Sequence, residues 1–512
     1  MQCIYEEKMK LLLLCVVIFW ASKTAFTYED ESKKISDDMI EESVIRAKGL
    51  VDKAYAETQN NLKQRLKKEH LSIGDMMAYS KQPTATSITA ITKADYLDAT
   101  LQVLTEKLKC IYKEPFNISD VLTPEQMETI NQLTGCAYQY LPRVCPLHSP
   151  YRTITGECNN RKNPMLGVSN AALKRLLPAE YENGYDSPKG WTDGLKINGY
   201  PLPMARALSN AIVRFNTNSL ELDANRSQCF MQWGQFTDHD KSLSPDTPSV
   251  SAIFKGVDCL NSCAKGYPCF PLPIPPDDPT KNSSDCIPLF RSAAACSLSS
   301  LIRQQINVLT PYHDASQVYG SEIGLATKLR NLTNDLGLLA INQNYTDNGR
   351  PFLPFSDDEK ITYNDWLPLL LGKNMLKYIP KYTSYNETED PRVSNVFTLA
   401  YRMGHTLVHV LVYRVGEGYV PLKTNPAIPL HRTFYNPAWV IHGGGIDPLM
   451  RGMLVNSAKI NRQYQIMSDE LRDHLFESTN KLGLDLAAIN IQRGRERGLP
   501  GNIKTILKVS FM

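Results

Sequence analysis

Apolar residues recur at helical spacing along much of the chain. Between residues 37 and 70, Met39, Ile40, Val44 and Val51 follow one another mostly at the spacing of one α-helix face. The same periodicity predicts further helices at residues 206–213, 229–239, 299–309, 394–413 and 469–482. Strand signals are few and short. The pattern therefore predicts a mainly α fold with long loops and little β structure.

The N-terminal part divides into two predicted segments. An apolar run at residues 11–21 is too short to span a bilayer, because a membrane helix needs about 20 apolar residues. Basic residues precede the run and small residues follow it, which is typical of a secretory signal peptide, so we predict removal of residues 1–25. Residues 26–143, rich in Lys and Glu, are interpreted as a partly helical pro-region. The main domain is placed at residues 144–501, where Pro, Gly and aromatic residues become frequent.

Composition and charge exclude few classes of function. Of 512 residues, 42% are hydrophobic, as in a folded globular protein. Lys and Arg number 56 against 53 Asp and Glu, which gives a net charge of +3. This balance does not call for a nucleic-acid partner. We also expect no membrane span.

The cysteines indicate disulfides, since an exported chain meets an oxidising compartment. Cys145 and Cys158 bracket one short loop, and four more lie in a Pro-rich stretch: Cys259, Cys263, Cys269 and Cys286. Four cysteines permit three pairings, and the sequence leaves the choice open. Their spacing lacks the paired Cys-x-x-Cys form of zinc sites. Cys296 is left over from these local groups, which leaves a disulfide-linked dimer through it open.

Polar chemistry is concentrated first in MQWGQFTDHD, residues 231–240. On a helix, Gln235, Asp238 and His239 share one face through three- and four-residue spacing. Asp240 points away from that face. One side of the helix can therefore carry acid–base chemistry while the other side binds something else.

A second concentration is LTPYHDASQVYGS, in which oxygen-bearing residues alternate: Thr310, Tyr312, Asp314 and Ser316. Side-chain and carbonyl oxygens at every second position suit a hard cation such as calcium, which takes 6 to 8 oxygens. Asp240 is available as a further carboxylate. The alternative is an ordinary polar turn.

The third concentration is AYRMGHTLVHVLVYR, an apolar segment with His405 and His409 one predicted helical turn apart. This pair lacks the glutamate of the HExxH zinc motif, and a lone histidine on such a helix is usually a packed core residue. Arg402 lies one turn before His405. A later segment, LAAINIQRGRERG, carries Asn490 and Arg493 one turn apart. The alternative for RGRERG is a solvated basic loop.

These segments together resemble the animal haem peroxidases, the group of myeloperoxidase, eosinophil peroxidase and lactoperoxidase. The resemblance extends from about residue 145 to 501 and rests on long strings, among them YRTITGECNNRKNP, MQWGQFTDHD, LTPYHDASQVYGS, DPRVSNVFTLAYRMGHTL and GLDLAAINIQRGRERGLPG. It implies a mainly α fold around one buried haem. It also implies a secreted or granule-stored enzyme that reduces hydrogen peroxide and oxidises halides, thiocyanate or small aromatic donors.

The resemblance assigns roles to the first segment. His239 would be the distal base that accepts a proton from hydrogen peroxide and returns it to the departing oxygen. Gln235 matches the glutamine beside the halide or water position. Asp238 matches the carboxylate that forms an ester to a haem methyl group.

The same resemblance makes His405 the proximal iron ligand, with Asn490 accepting its other ring N–H. Arg402 and Arg493 match the partners of the haem propionates. The implied calcium ligands are five residues: Asp240, Thr310, Tyr312, Asp314 and Ser316. Because Asp240 adjoins His239, loss of calcium is expected to damage catalysis indirectly.

The chain departs from the family in two places. A helical segment that carries an Arg-x-x-Glu motif is missing near residues 356–360, so the chain lacks the arginine that polarises peroxide and the glutamate of the second ester. Residues 502–512 form a tail foreign to the family. Together these departures suggest an alternative transcript or a defective gene model.

Three functional hypotheses follow. The first is a secreted haem peroxidase, in host defence or in the response to oxidative stress. The second is a haem-binding or adhesive glycoprotein with impaired catalysis. The third is a metal hydrolase that uses His405 and His409.

Overall fold

The computed structural model describes residues 35–66, 83–112, 116–139, 144–145, 152–215, 220–254, 256–297, 300–333, 384–436, 438–477 and 483–501. The predicted signal peptide, the position of the missing segment and the tail lie outside these ranges. None of the helices within them is long and apolar enough to cross a membrane.

Helices dominate the N-terminal third. They are α1 (Asp37–Leu66), α2 (Ala85–Leu108), α3 (Ile118–Val121) and α4 (Pro124–Thr134). The start of α4 is a capping box, in which the Thr123 hydroxyl accepts from the Gln126 amide and the Gln126 side chain accepts from the Thr123 amide. Gly135, with φ of 84°, ends the helix in the left-handed conformation that glycine adopts readily. The predicted helix at 37–70 is confirmed as far as Leu66.

These helices share a core with the main domain. Ile40, Leu101 and Leu104 belong to the same buried cluster as Ala294 and Leu301. At a second point of contact, the buried Asp95 carboxylate of α2 accepts from Tyr267 (2.7 Å), and Asp98 pairs with Arg303. The segment interpreted as a pro-region is therefore packed against the main domain.

The main domain begins with short elements that lead to a central helix: β1 (Ala171–Ala172), β2 (Lys196–Ile197), β3 (Tyr200–Pro201), α5 (Ala205–Leu208), a π-helical turn (Ser209–Val213), β4 (Leu222–Ser227) and α6 (Cys229–Lys241). The next elements are β5 (Leu272–Pro273), a 3₁₀ turn (Pro279–Asn282), β6 (Cys286–Ile287), β7 (Ala294–Ala295), β8 (Gln304–Asn307), α7 (Ser316–Tyr319) and α8 (Ile323–Leu329). The predicted helices at 206–213 and 229–239 are thus found as α5 with its π-helical extension and as α6.

The remaining elements are α9 (Phe397–Ala400), a 3₁₀ segment (Tyr401–Leu407), β9 (Leu411–Tyr413), β10 (Ala427–Pro429), a 3₁₀ turn (Leu430–Arg432), α10 (Ala438–Ile441), α11 (Asp447–Val455), β11 (Ser457–Lys459), α12 (Asp469–Arg472) and α13 (Leu486–Glu496). The largest sheet in the described ranges has three strands, with β8 between β1 and β7. Its register pairs Ala171 with Asn307 and Ala294 with Gln305, all antiparallel. The mainly α expectation is confirmed.

Three predicted helices are corrected by the structure. Residues 299–309 contain strand β8, because its side chains are buried between two neighbouring strands, where periodicity does not separate strand from helix. In 394–413, helical turns end at Leu407 and a strand follows at Leu411–Tyr413, where the β-branched Val412 and the aromatic Tyr413 favour extended backbone. In 469–482 the helix ends at Arg472, residues 478–482 lie outside the described ranges, and Phe476 adopts a positive φ of 57°.

The disulfides decide what the cysteine pattern left open. Cys259 bonds to Cys269 and Cys263 to Cys286, while Cys145 bonds to Cys158. Cys296 bonds to Cys136 within the same chain, 160 residues earlier. The proposed dimer through Cys296 is therefore wrong, because that sulfur is already bonded. This bond also links α4's end to the main domain covalently.

Candidate active site and calcium site

The two faces of α6 carry different chemistry. Gln235 and His239 are exposed, with 52% of the His239 side chain accessible. Asp238 lies beside them, and its Oδ2 is 3.9 Å from His239 Nε2. Asp240, on the other face, is only 2% exposed. The division of the helix into two faces follows from its periodicity, as the sequence predicts.

The Asp238 carboxyl lies in a partly buried, positively charged environment. Burial raises its pKa, while His239, Arg402 and Arg497 act in the opposite direction. Arg402 and Arg497 come from elements more than 150 residues further along the chain, so the fold brings their charges to the α6 surface. Burial has the larger effect, so the pKa of Asp238 is raised overall, and in its ionised form the carboxylate can act as a nucleophile or hydrogen-bond acceptor.

His405 lies on the 3₁₀ segment that packs beside α6. Burial lowers its pKa to about 3, helped by Arg402 and His239, so the imidazole is neutral near pH 7 and keeps a nitrogen lone pair for a metal. Its Nδ1 is 2.8 Å from the Asn490 amide nitrogen, and Asn490 Oδ1 accepts from Arg402 (3.1 Å).

The predicted acceptor role of Asn490 differs from this amide orientation. With the oxygen turned to Arg402, the amide nitrogen donates to His405 Nδ1, and the ring proton is then on Nε2. An imidazole that binds iron through Nε2 needs its proton on Nδ1. For His405 to bind iron in this way, the Asn490 side-chain amide must rotate by half a turn, so that its oxygen accepts from His405 Nδ1.

Cationic side chains converge around this segment. Burial, together with the neighbouring Arg497 and Arg493, lowers the pKa of Arg402 to about 9. Arg493 is engaged with Asp246 and donates to the Phe290 carbonyl (2.5 Å). The excess of positive charge beside Arg402 suits an anionic group.

Two residues near the site, Arg497 and Lys459, were not predicted from the sequence. Arg497 belongs to the RGRERG string, whose alternative reading was a solvated loop, yet it is 3% exposed and donates to Thr398. Lys459 is 1% exposed, and its ammonium donates to the carbonyl of Thr406 (2.6 Å), the residue after His405, and to that of Gln465 (2.6 Å). The sequence did not identify Lys459, because its link to the His405 segment, through Thr406, joins residues 53 positions apart.

The predicted calcium ligands lie close together. Thr310 Oγ1 donates to Asp314 Oδ2 (2.6 Å) and is 3.0 Å from Ser316 Oγ. Asp240 Oδ2 accepts from the Ala315 amide (3.0 Å). The Tyr312 hydroxyl accepts from Asn159 (2.8 Å), so any oxygen that Tyr312 contributes to a cation would be its carbonyl.

Electrostatics at this cluster favour a cation. Asp240 Oδ1 is buried without a hydrogen-bond partner. Burial, together with nearby Asp314, raises the pKa of Asp240 to about 6, as expected where two carboxylates meet. A bound cation would give Asp240 Oδ1 a partner and would reduce the repulsion between the Asp240 and Asp314 carboxylates. Arg152, whose guanidinium is 3.4 Å from Asp314 Oδ2, neutralises part of this charge.

The donor groups suit a haem whose iron one imidazole would bind. His405 offers a neutral ring, Arg402 offers a guanidinium for a carboxylate, and Asp238 lies on the neighbouring α6. These residue types are those that iron and propionates require.

A zinc site at His405 and His409 gains no support. His409 follows the end of the 3₁₀ segment, is buried, and its Nδ1 has no hydrogen-bond partner. Within the described ranges, no group of three or more His, Cys, Asp or Glu side chains is arranged to hold a metal ion. Two histidines alone do not complete the ligand set of a metal hydrolase.

Comparison with known proteins gives a consistent result. The family model described as animal haem peroxidase matches residues 151–360 and 358–506. Myeloperoxidase from Homo sapiens is 44% identical, with 91% of this chain and 73% of that protein covered. For eosinophil peroxidase from Homo sapiens the identity is 42%, with 91% and 76% covered. For lactoperoxidase from Homo sapiens it is 37%, with 96% and 78% covered.

The fold has a counterpart among solved structures. Peroxidase A from Dictyostelium discoideum superimposes with a TM-score of 0.51 at 24% identity, over 69% of this chain and 77% of that one. The family match divides into two segments that meet at residues 358–360. The alignment with myeloperoxidase extends over 543 positions although this chain has 512 residues, so that relative contains segments that this chain lacks.

Proposed function

The chain belongs to the animal haem peroxidases, oxidoreductases that act on hydrogen peroxide, and from this premise we propose a secreted enzyme that oxidises halides, thiocyanate or small aromatic donors. Its role would be in host defence or in the response to oxidative stress. One observation carries the proposal: α6 and the 3₁₀ segment bring His239 and Asp238 within electrostatic reach of His405 and Arg402.

In this proposal His239 moves the protons. Its exposed ring accepts a proton from hydrogen peroxide and returns it to the departing oxygen, which leaves as water. Haem, when bound, supplies the iron at which peroxide is reduced. Asp238 is close enough to hold the His239 ring through a water or after a small rotation, since their nearest atoms are 3.9 Å apart. Gln235, exposed one turn earlier, would lie beside the halide or water position.

The cofactor would be held by groups from three elements. His405 would bind iron with Nδ1 facing Asn490, and Arg402 and Arg493 would pair with the propionates. Arg493, which now pairs with Asp246, would then pair with a propionate instead of Asp246 or with both carboxylates. Asp238 would form the covalent ester to haem. The convergence of cations beside Arg402 supports this arrangement.

Calcium would be bound by the cluster around Asp240: Asp240, Thr310, Tyr312, Asp314 and Ser316. The unpartnered Asp240 Oδ1 supports this assignment. Because Asp240 and His239 are consecutive on α6, the ion would fix the end of the helix that positions the distal base.

Absorption spectroscopy tests the proposed function directly. Protein secreted from cells with ample haem should show a Soret band and should oxidise iodide, thiocyanate or a phenolic donor only when peroxide is added. A colourless product would refute the proposal. Sequencing the N-terminus of the secreted product tests the removal of residues 1–25 and shows whether the segment up to residue 143 is retained.

A haem-binding glycoprotein with impaired catalysis is the second candidate. It is favoured by the missing Arg-x-x-Glu segment, whose predicted position coincides with the junction at residues 358–360. The loss of one donor that stabilises developing charge slows an enzyme by about 100- to 1,000-fold. A Soret band without donor oxidation would select this candidate. Transcript sequences across the codons for Phe355 and Ile361 would show whether the shorter form exists.

A further inference from the structure

Two imidazole rings, those of His431 and His474, lie close together away from the peroxidase residues. His431 lies in the 3₁₀ turn after β10, and His474 follows α12. Their ring centroids are 5.4 Å apart, and the ring planes are inclined by 38°. The mechanism proposed above uses neither ring.

A separate carboxylate fixes each ring. His431 Nδ1 is 2.8 Å from Glu470 Oε2, and the His431 amide donates to the same oxygen (2.7 Å). His474 Nδ1 is 2.7 Å from Glu477 Oε2. An ionised carboxylate can only accept, so each Nδ1 carries a proton, and in the neutral ring the lone pair is then on Nε2. Histidines that bind metals are typically oriented by a carboxylate in this way.

Buried neighbours hold the two backbones together. Leu430, beside His431, packs in one cluster with Leu471 and Leu475, which flank His474. The rings themselves reach solvent, since 24% of the His431 side chain and 42% of the His474 side chain are exposed. The pair is therefore preorganised and open to a small ion.

The ring separation matches a shared metal. Two imidazoles that bind one tetrahedral ion through nitrogens at about 2.0–2.1 Å hold their ring centroids about 5 Å apart. We propose that Nε2 of His431 and Nε2 of His474 form a two-ligand site for a divalent late transition-metal ion, zinc or copper. Neutral imidazoles suit these ions, and copper should bind more tightly than zinc. Because no third His, Cys, Asp or Glu completes a metal cluster among the described residues, water would fill the remaining positions.

The test is a titration of the purified haem-containing protein with Cu²⁺, followed by electron paramagnetic resonance and calorimetry, with Zn²⁺ as competitor. His431→Gln and His474→Gln should each weaken the copper site by at least about tenfold, because each removes one of two ligands. Glu470→Gln should weaken it by about 10- to 100-fold, as expected for a lost orienting partner. His442→Gln is the matched control, since His442 is also exposed but lies outside the pair, and it should bind copper like the unmodified protein.

Fold and haem content are checked separately by circular dichroism and by the Soret band, which the His431 and His474 variants should retain. In the unmodified protein Zn²⁺ should raise the melting temperature, and neither single variant should show that rise. Copper affinity unchanged in either variant would overturn the proposal. So would independent weak binding, in which each variant loses one of two equivalent ions.

Discussion

Replacing Lys459 with Met tests how the segment that carries His405 is held. The Lys459 ammonium is fully buried and donates to the carbonyls of Thr406 and Gln465, each at 2.6 Å. Each charge-assisted hydrogen bond contributes about 1.5–3 kcal/mol, so their loss removes about 3–6 kcal/mol. Part of this loss is offset, because the substitution also removes the cost of burying a charge. That cost is seen in the pKa of Lys459, which burial lowers from 10.5 to about 8.

The offset is about 3 kcal/mol, since one pKa unit corresponds to about 1.4 kcal/mol. A net destabilisation of about 0–3 kcal/mol near pH 7 therefore remains for K459M. Urea unfolding monitored by circular dichroism measures it. Lys281→Met is the matched control, because Lys281 makes an ion pair with Asp285 near the surface, and it should change the unfolding free energy by less than about 1 kcal/mol.

The pH dependence of K459M gives a sharper result. Below pH 8, Lys459 is protonated in both the folded and the unfolded state, so its effect is constant. Between pH 8 and 10.5 the unfolded state binds more protons, and the stability of the unmodified protein should rise relative to K459M. Equal stability at pH 7 together with an identical pH profile would refute the role of Lys459. If stability falls but the ratio of Soret to protein absorbance does not, the ammonium holds the fold without positioning His405.

Four other predictions concern the sites and the disulfide. His239→Ala, in a chain that also carries the family's missing segment, should slow peroxide consumption by at least about 100-fold with the Soret band retained, and an unchanged rate would exclude the distal role. His405→Ala should lose or misligate haem, seen as a lower ratio of Soret to protein absorbance. Asp240→Asn should weaken calcium retention in equilibrium dialysis, and in the unmodified protein retention should fall as the pH drops below about 6, where Asp240 becomes protonated. Cys296→Ser should destabilise the fold by about 2–5 kcal/mol by breaking the bond to Cys136, and the unmodified protein should show no Cys296-linked dimer on a non-reducing gel.

Local sequence patterns predicted the elements whose contacts are local. The helix with Gln235, Asp238 and His239 on one face follows from residue spacing alone. Asn490 and Arg493 likewise share α13 one turn apart. Side-chain oxygens of Thr310, Asp314 and Ser316 also lie within hydrogen-bond distance of one another, because a short loop keeps them close.

The same patterns failed where distant segments decide the conformation. Residues 304–307 form a strand because two other strands flank them, and the helix expected through His409 gives way to β9, which pairs with β10. The roles proposed for His239, His405 and their neighbours remain predictions that rest on the family resemblance and the observed geometry.

The sequence alone determined which chemical groups the chain carries, which of them share a helical face, and which family it resembles. Only the tertiary structure joined Cys296 to Cys136, bonded Lys459 to the His405 segment, brought Arg497 within electrostatic range of Asp238 and placed His431 beside His474. The physical reason is the sequence separation between the residues in contact. Spacing within a helix fixes neighbours three or four residues apart, whereas contacts between residues tens to hundreds of positions apart depend on how buried surfaces pack.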